Sequence, residues 1–256
     1  MNYAERGLTI HADCVDPSPI PFAMHDILRG NELVATASFK RAGADSQDFR
    51  NILAEVKNWL PAAAEVYMIS SDVKDMVVVP VIAFPSDLPN RNNAGFPLSE
   101  LLRFDPHCGC MGYKTFKGQP THVDHKNGIL SDAKGVIFDA TLRPLPRTAL
   151  YKNILLCAFD RNKDKNLVND ILTKKRTCYS MGANLSDYTC SICEASTLAG
   201  GCNHVQYAQT QTLPIIDGKV AYLQVRNMKG FELSSVETPA YLSAQTDNFW
   251  PLWNEE

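Results

Sequence analysis

An α+β fold is expected, on three observations. Asp45–Leu60 carries apolar residues at helical spacing. Three short runs, Met76–Phe84, Gly135–Leu142 and Ile154–Asp160, are apolar or β-branched in the manner of buried strands. No internal repeat or low-complexity linker divides the chain, so a single α+β domain with a small Cys-rich insertion is the simplest organisation. With 256 residues, 45% of them hydrophobic, the chain can bury one large core or two modest ones. A formal net charge of -3 provides no strong field to draw nucleic acid or an anionic membrane. The segment after Met1 lacks the apolar run of a signal peptide, and no stretch approaches the ~20 apolar residues that span a bilayer. A soluble intracellular protein is therefore expected. In that compartment the 8 cysteines read as free thiols or metal ligands rather than disulfides.

Taken in order, residues 1–44 contain Pro17, Pro19 and Pro21 and no recognisable chemistry, with two short strands expected within Ile27–Lys40 around Gly30-Asn31. In the helix, Phe49, Ile52, Leu53, Val56 and Leu60 share one face; Asp45 or Ser46 caps its start and Pro61 is expected to stop it. Pro80 should confine the Met76–Phe84 strand to an edge or a bulge. Leu98–Phe104 reads as a short helix, and Cys108-Gly-Cys110 beside His107 as buried thiols or a metal pair. Lys163–Leu172 is a helix facing Leu167, Val168, Ile171 and Leu172 inward, with Lys174-Lys175-Arg176 as its solvated basic end. Val220–Asn227 and Gly230–Val236 read as strands joined at Asn227–Gly230, and Trp250 and Trp253 lie in a short tail.

Chemistry concentrates in two places. Thr177–His204 holds Ser180 among small residues, followed by Cys190, Cys193, Cys202 and His204. A serine becomes a nucleophile when a base held by a third group takes its proton, and Gly182 would let backbone N–H groups approach an oxyanion. The cysteines and His204 make a Cys-x2-Cys half-site followed by Cys-x-His, a set that fits tetrahedral Zn²⁺; reduced structural thiols are the alternative. The second place is His122-Val-Asp124-His125, after Pro120. Either histidine can serve as the base, or the window can be a catalytic zinc ligand set. On a continuous strand His122 and Asp124 share a face and His125 points away, so convergence requires the strand to break.

Three blocks, in order, resemble the prohead maturation proteases of tailed bacteriophages, which share the herpesvirus assemblin fold: Pro120–Gly135 (PTHVDHKNGILSDAKG), Tyr179-Ser180-Met181-Gly182, and Phe231–Ala244 (FELSSVETPAYLSA). The CSIC…CNH insertion is similar to versions in some large phages. The resemblance implies a closed or nearly closed assemblin-like β-barrel or sheet flanked by helices. It divides the chain into an N-terminal part, 1–94, packed on the same domain, a protease core, 95–245, with a knuckle insertion at 188–206, and a tail, 246–256. Carried over by position, His125 is the general base, Ser180 the nucleophile, and backbone N–H groups near Met181 and Gly182 the oxyanion donors. Glu232 is the favoured third member, on a strand neighbouring the serine block; Asp160 and His204 are the others, and a zinc-bound His204 could not also orient His125. The implied activity is serine endopeptidase cleavage of phage scaffold, core and capsid proteins, and of the enzyme itself, inside the prohead in the host cytoplasm. It needs no catalytic cofactor, membrane or nucleic acid, and leaves room for self-association. The rival expectations are a zinc hydrolase built on His122, Asp124 and His125, and a non-catalytic zinc-stapled head protein.

Overall fold

The computed structural model describes residues 47–145, 148–205 and 213–246. The strands expected at Ile27–Lys40, the helix cap at Asp45 or Ser46, and Trp250 and Trp253 lie outside the described residues, as do the side chains of Phe49, Ile52 and Leu53. Helix α1 (Gln47–Tyr67) does not end at Pro61 but carries it inside. Proline removes one N–H from the helical ladder. The helix continues because its next turns are anchored, with Leu60, Ala63 and Tyr67 fully buried and Ala64 nearly so.

The strands are β1 (Met76–Pro85), β2 (Ala94–Gly95), β3 (Phe104–Asp105), β4 (Cys110–Met111), β5 (Pro120–Val123), β6 (Gly135–Pro144), β7 (Tyr151–Asp160), β8 (Tyr179–Asn184), β9 (Asp187–Cys190), β10 (Ile215–Ile216), β11 (Lys219–Val220), β12 (Leu223–Arg226) and β13 (Lys229–Ser235). Two further helices are α2 (Leu98–Leu101), shorter than expected because the chain turns extended at β3, and α3 (Lys165–Leu172). Asp164 caps α3 by accepting the Leu167 N–H. Among the described residues no helix is long and apolar enough to cross a membrane.

Six strands form one curled, open sheet in the order β1-β7-β6-β5-β13-β8, antiparallel except for the parallel β5–β13 pair. β1 is an edge, as Pro80 requires, and a register shift falls between Ile82 and Phe84. β1 lies within residues 1–94, so that part of the chain supplies a strand of the same sheet. The sheet curls far enough to bring β1 near β8. Residues 244–246 run between these edges: Tyr179 N–H donates to Ala244 O (2.9 Å), Thr246 N–H to Thr177 O (2.8 Å) and Ile82 N–H to Gln245 O (3.1 Å).

Both sheet faces are covered over β1, β7 and β6, which is why these strands read as unbroken apolar runs rather than alternating ones. On one face Met76, Val78, Val136, Phe138, Ile154 and Leu156 pack under Val56, Leu60 and Tyr67 of α1. On the other, Val77, Val79, Val81, Ile137, Leu155 and Phe159 join Tyr179, Leu233, Val168 and Ile171. The α1 cluster draws nothing from β5, β13 or β8. Strand alternation sets His122, Ser234 and Ser180 on that same face of the sheet, at the end that α1 does not cover.

β12 and β13 do not pair with each other. β12 lies in a second, three-stranded sheet, β2-β12-β9, antiparallel to β9. β8 continues into β9 and β12 into β13 after two residues each, so 179–190 and 223–235 form one antiparallel ribbon, bent where Ser186 N–H donates to Arg226 O (3.0 Å). Buried Glu100 holds the bend by accepting Met228 N–H (2.8 Å) and Arg103 Nε–H (2.7 Å).

Candidate active site and metal group

Polar side chains this deep need a reason, and they cluster: Thr121, Glu232, Ser234 and Ser235 are fully buried and His122 is 1% exposed, all on β5 and β13. β5 stops at Val123 because the backbone there turns left-handed. Asp124 (φ 51°) and His125 (φ 54°) both have positive φ, and Lys126 N–H closes onto Val123 O at 3.0 Å. Two successive positive-φ residues under such a bond form a type I′-like turn. Asp tolerates that conformation; for His it costs on the order of 1 kcal/mol. The break in the strand is what returns His125 to the face of His122.

His125 is then held by β13. Its Nδ1 lies 2.7 Å from Glu232 Oε1, and its backbone N–H donates to Ser234 Oγ at 3.1 Å. Ser234 Oγ–H in turn donates to Glu232 Oε2 at 2.7 Å. The Glu232 hydrogen bond raises the His125 pKa above its ordinary value, outweighing partial burial. His122 moves the other way, lowered chiefly by loss of hydration. Its neighbour Asp124 is turned aside: Oδ1 accepts Arg176 Nη2–H at 2.6 Å, and Arg176 also donates to Ser235 Oγ (2.8 Å) and Ser235 O (3.0 Å). Arg176 is therefore a clamp on the His125 turn rather than part of a solvated basic helix end.

Ser180 stands on β8 directly across from Ser234, and Ser234 directly across from His122 on β5. Opposed residues point to one face with Cβ atoms about 5 Å apart, so Ser180 is one side chain removed from His125, and about 10 Å across two strand spacings from His122. Ser180 is half-buried. Among the described residues its hydroxyl makes no hydrogen bond to either histidine.

Met181 and Gly182 separate in role. Tyr179 N–H points off the sheet edge to Ala244 O, so alternation turns the Met181 N–H to the same open edge and the Gly182 N–H toward β13. Gly182 serves sterically instead. A Cβ there would come within 2.6 Å of the Phe231 ring and 2.9 Å of Glu232 Cγ, so the missing side chain makes room for the carboxylate arm.

The other third-member candidates lie elsewhere. Asp160 caps a turn, accepting Ser70 N–H (2.7 Å) and Asn162 N–H (2.8 Å). His204 sits with Cys190, Cys193 and Cys202, whose ligand atoms all lie within 4.8 Å of one another. In that group Cys190 Sγ and His204 Nδ1 are 3.7 Å apart, close to the ligand–ligand edge of about 3.5–3.8 Å in tetrahedral zinc sites. Among the described residues this is the one group of three or more such side chains placed to hold a metal ion; His122, Asp124 and His125 do not form another, nor do His107, Cys108 and Cys110. The seven described cysteines are free. The metal group lies ten residues beyond Ser180, at the far end of the bent ribbon rather than beside the serine.

Sequence reasoning passed over Ser234 and Arg176. Ser234 carried a signal, since two residues after Glu232 on a strand means one shared face. Arg176 carried none, because its partners are 52 and 59 positions away. Comparison with protein-family models, with curated proteins and with solved structures finds no match to this chain.

Proposed function

We propose that the chain is a serine endopeptidase, with Ser180 as nucleophile, His125 as base and Glu232 as the group that orients the base. The observation that carries this reading is the hydrogen bond between exposed His125 and buried Glu232 on the sheet face they share with Ser180. Glu232 holds the Nδ1 proton, which leaves Nε2 as the acceptor for the serine proton. Catalytic contacts of this kind are often loose without substrate and tighten in the Michaelis complex. Ser234, the other hydroxyl at the pair, is fully buried and spends its proton on Glu232, so it is not the nucleophile.

In the reaction Ser180 Oγ attacks a peptide carbonyl as His125 takes its proton. The Met181 N–H on the open edge of β8 donates to the tetrahedral oxyanion, and His125 passes the proton to the departing amine. Water, deprotonated by the same imidazole, then releases the acyl group. The three-block likeness to phage prohead proteases supports scaffold, core and capsid proteins as substrates within the assembling prohead. A Zn²⁺ ion in the Cys190/Cys193/Cys202/His204 group belongs to the same proposal, as a staple and not a catalyst.

The test is twofold. A fluorophosphonate should label Ser180 in the wild type and nothing in Ser180→Ala, and that variant should lose processing of co-expressed scaffold by about 10⁶-fold while keeping its melting temperature. Intact processing by Ser180→Ala ends the proposal. Absence of both labelling and processing in the wild type favours the non-catalytic head protein.

A further inference from the structure

We propose that Ser234 is a positioning residue of this site, fixing the His125 turn and the Glu232 carboxylate to each other through one buried hydroxyl; this rests on the proteolytic reading above. Three hydrogen bonds make a closed loop: His125 N–H to Ser234 Oγ, Ser234 Oγ–H to Glu232 Oε2, and Glu232 Oε1 to His125 Nδ1. The hydroxyl accepts from one partner and donates to the other, so both of its partners are determined. It occupies Oε2 and leaves Oε1 as the oxygen that meets the ring. Without it the carboxylate keeps its burial but loses its rotational stop. His125 also sits in a left-handed conformation, which persists only where its surroundings over-determine it. The Lys126 turn bond and the Arg176–Asp124 ion pair hold the residues either side; the Ser234 oxygen holds His125 itself. Its place between His122 and Ser180 in the strand registers puts that oxygen at the centre of the polar face.

The experiment uses the full chain labelled with ¹⁵N-histidine. In the wild type the Nδ1–H proton of His125 should give a downfield resonance protected by Glu232. In Ser234→Ala that resonance should broaden into exchange with water, and fluorophosphonate labelling of Ser180 should slow roughly 10- to 100-fold, the effect of a small misplacement of a catalytic group. Ser234→Thr keeps the oxygen and a strand-compatible backbone, and should retain the resonance and most of the labelling rate. A folded Ser234→Ala protein with the wild-type resonance overturns the proposal. Equal losses in the Ala and Thr variants also overturn it, since side-chain volume would then be the cause. The resonance is read without substrate, so its outcome is separate from whether Ser180 is a nucleophile.

Discussion

His122 and His125 are three residues apart and respond to pH in opposite senses. His125, its pKa raised by Glu232, contributes stability that is fully present below about pH 6.5 and is lost as pH rises through its folded-state value. His122, lowered by burial, holds its ring neutral and gives up stability as pH falls below that ordinary value. Only a neutral His125 can accept a serine proton, so the acid limb of activity should lie above pH 6.5. Glu232→Gln should cut kcat by about 10⁴-fold, because an amide can hold the imidazole in the wrong tautomer. It should also move the remaining acid limb to lower pH; a pH–rate profile with an unmoved limb would remove Glu232 from the site. The order of the sequence blocks singled out His125, Ser180 and Glu232, and His125 does meet Glu232. The turn that brings His125 there was not visible, because Asp-His is an unusual pair for two positive-φ positions, where Asn-Gly is the familiar signal.

At the scale of elements, the apolar runs announced β1, β6 and β7 well, since burial on both faces leaves little but β-branched and aromatic residues. Helix α1 was legible as a helix and misread at its end. Pro61 stops a helix only where packing does not carry the chain onward, and here Leu60, Ala63 and Tyr67 do. Pro61 is exposed, so Pro61→Ala should restore the missing ladder bond without disturbing the core and raise stability by about 1–2 kcal/mol, after allowing for the looser unfolded chain. A urea midpoint that falls or stays fixed would show that the helix had already adapted to the proline. Gly182→Ala tests β8. The added methyl meets the Phe231 ring and Glu232 Cγ, so overpacking should destabilise the protein by about 1–3 kcal/mol. It should also slow Ser180 labelling, because the atom displaced belongs to the carboxylate arm. Unchanged labelling would mean that the arm has room the geometry does not show.

For the whole molecule, the bent ribbon is the organising fact, and the sequence could not disclose it. Val220–Asn227 and Gly230–Val236 read as two strands joined at Asn227–Gly230, yet Leu223–Arg226 and Lys229–Ser235 both pair with the β8–β9 arm and not with each other, because Asn227 (φ 51°) and Met228 form a bend that passes from one sheet to the next. Ser180 and Glu232 therefore lie toward one end of a structure whose other end is Cys190 and its metal group. The bend itself is anchored without metal, by Glu100 on Met228 N–H and by Thr115 Oγ1 on Gly230 N–H at 2.9 Å. Those anchors divide the ribbon mechanically. Stripping zinc with a chelator, or Cys190→Ser, should release β9 and β12: the amides of Thr189 and Gln224, which face each other across the ladder, should lose hydrogen-exchange protection. The melting temperature should fall by roughly 2–4 °C for each kcal/mol lost. Leu233, beyond the anchors, should keep its protection, and the His125 resonance should not move. If protection instead collapses along the whole ribbon, the metal group is holding the strands of Ser180 and Glu232 as well. If no amide responds and no stoichiometric zinc is found, the four side chains are reduced thiols and a histidine packed together without an ion.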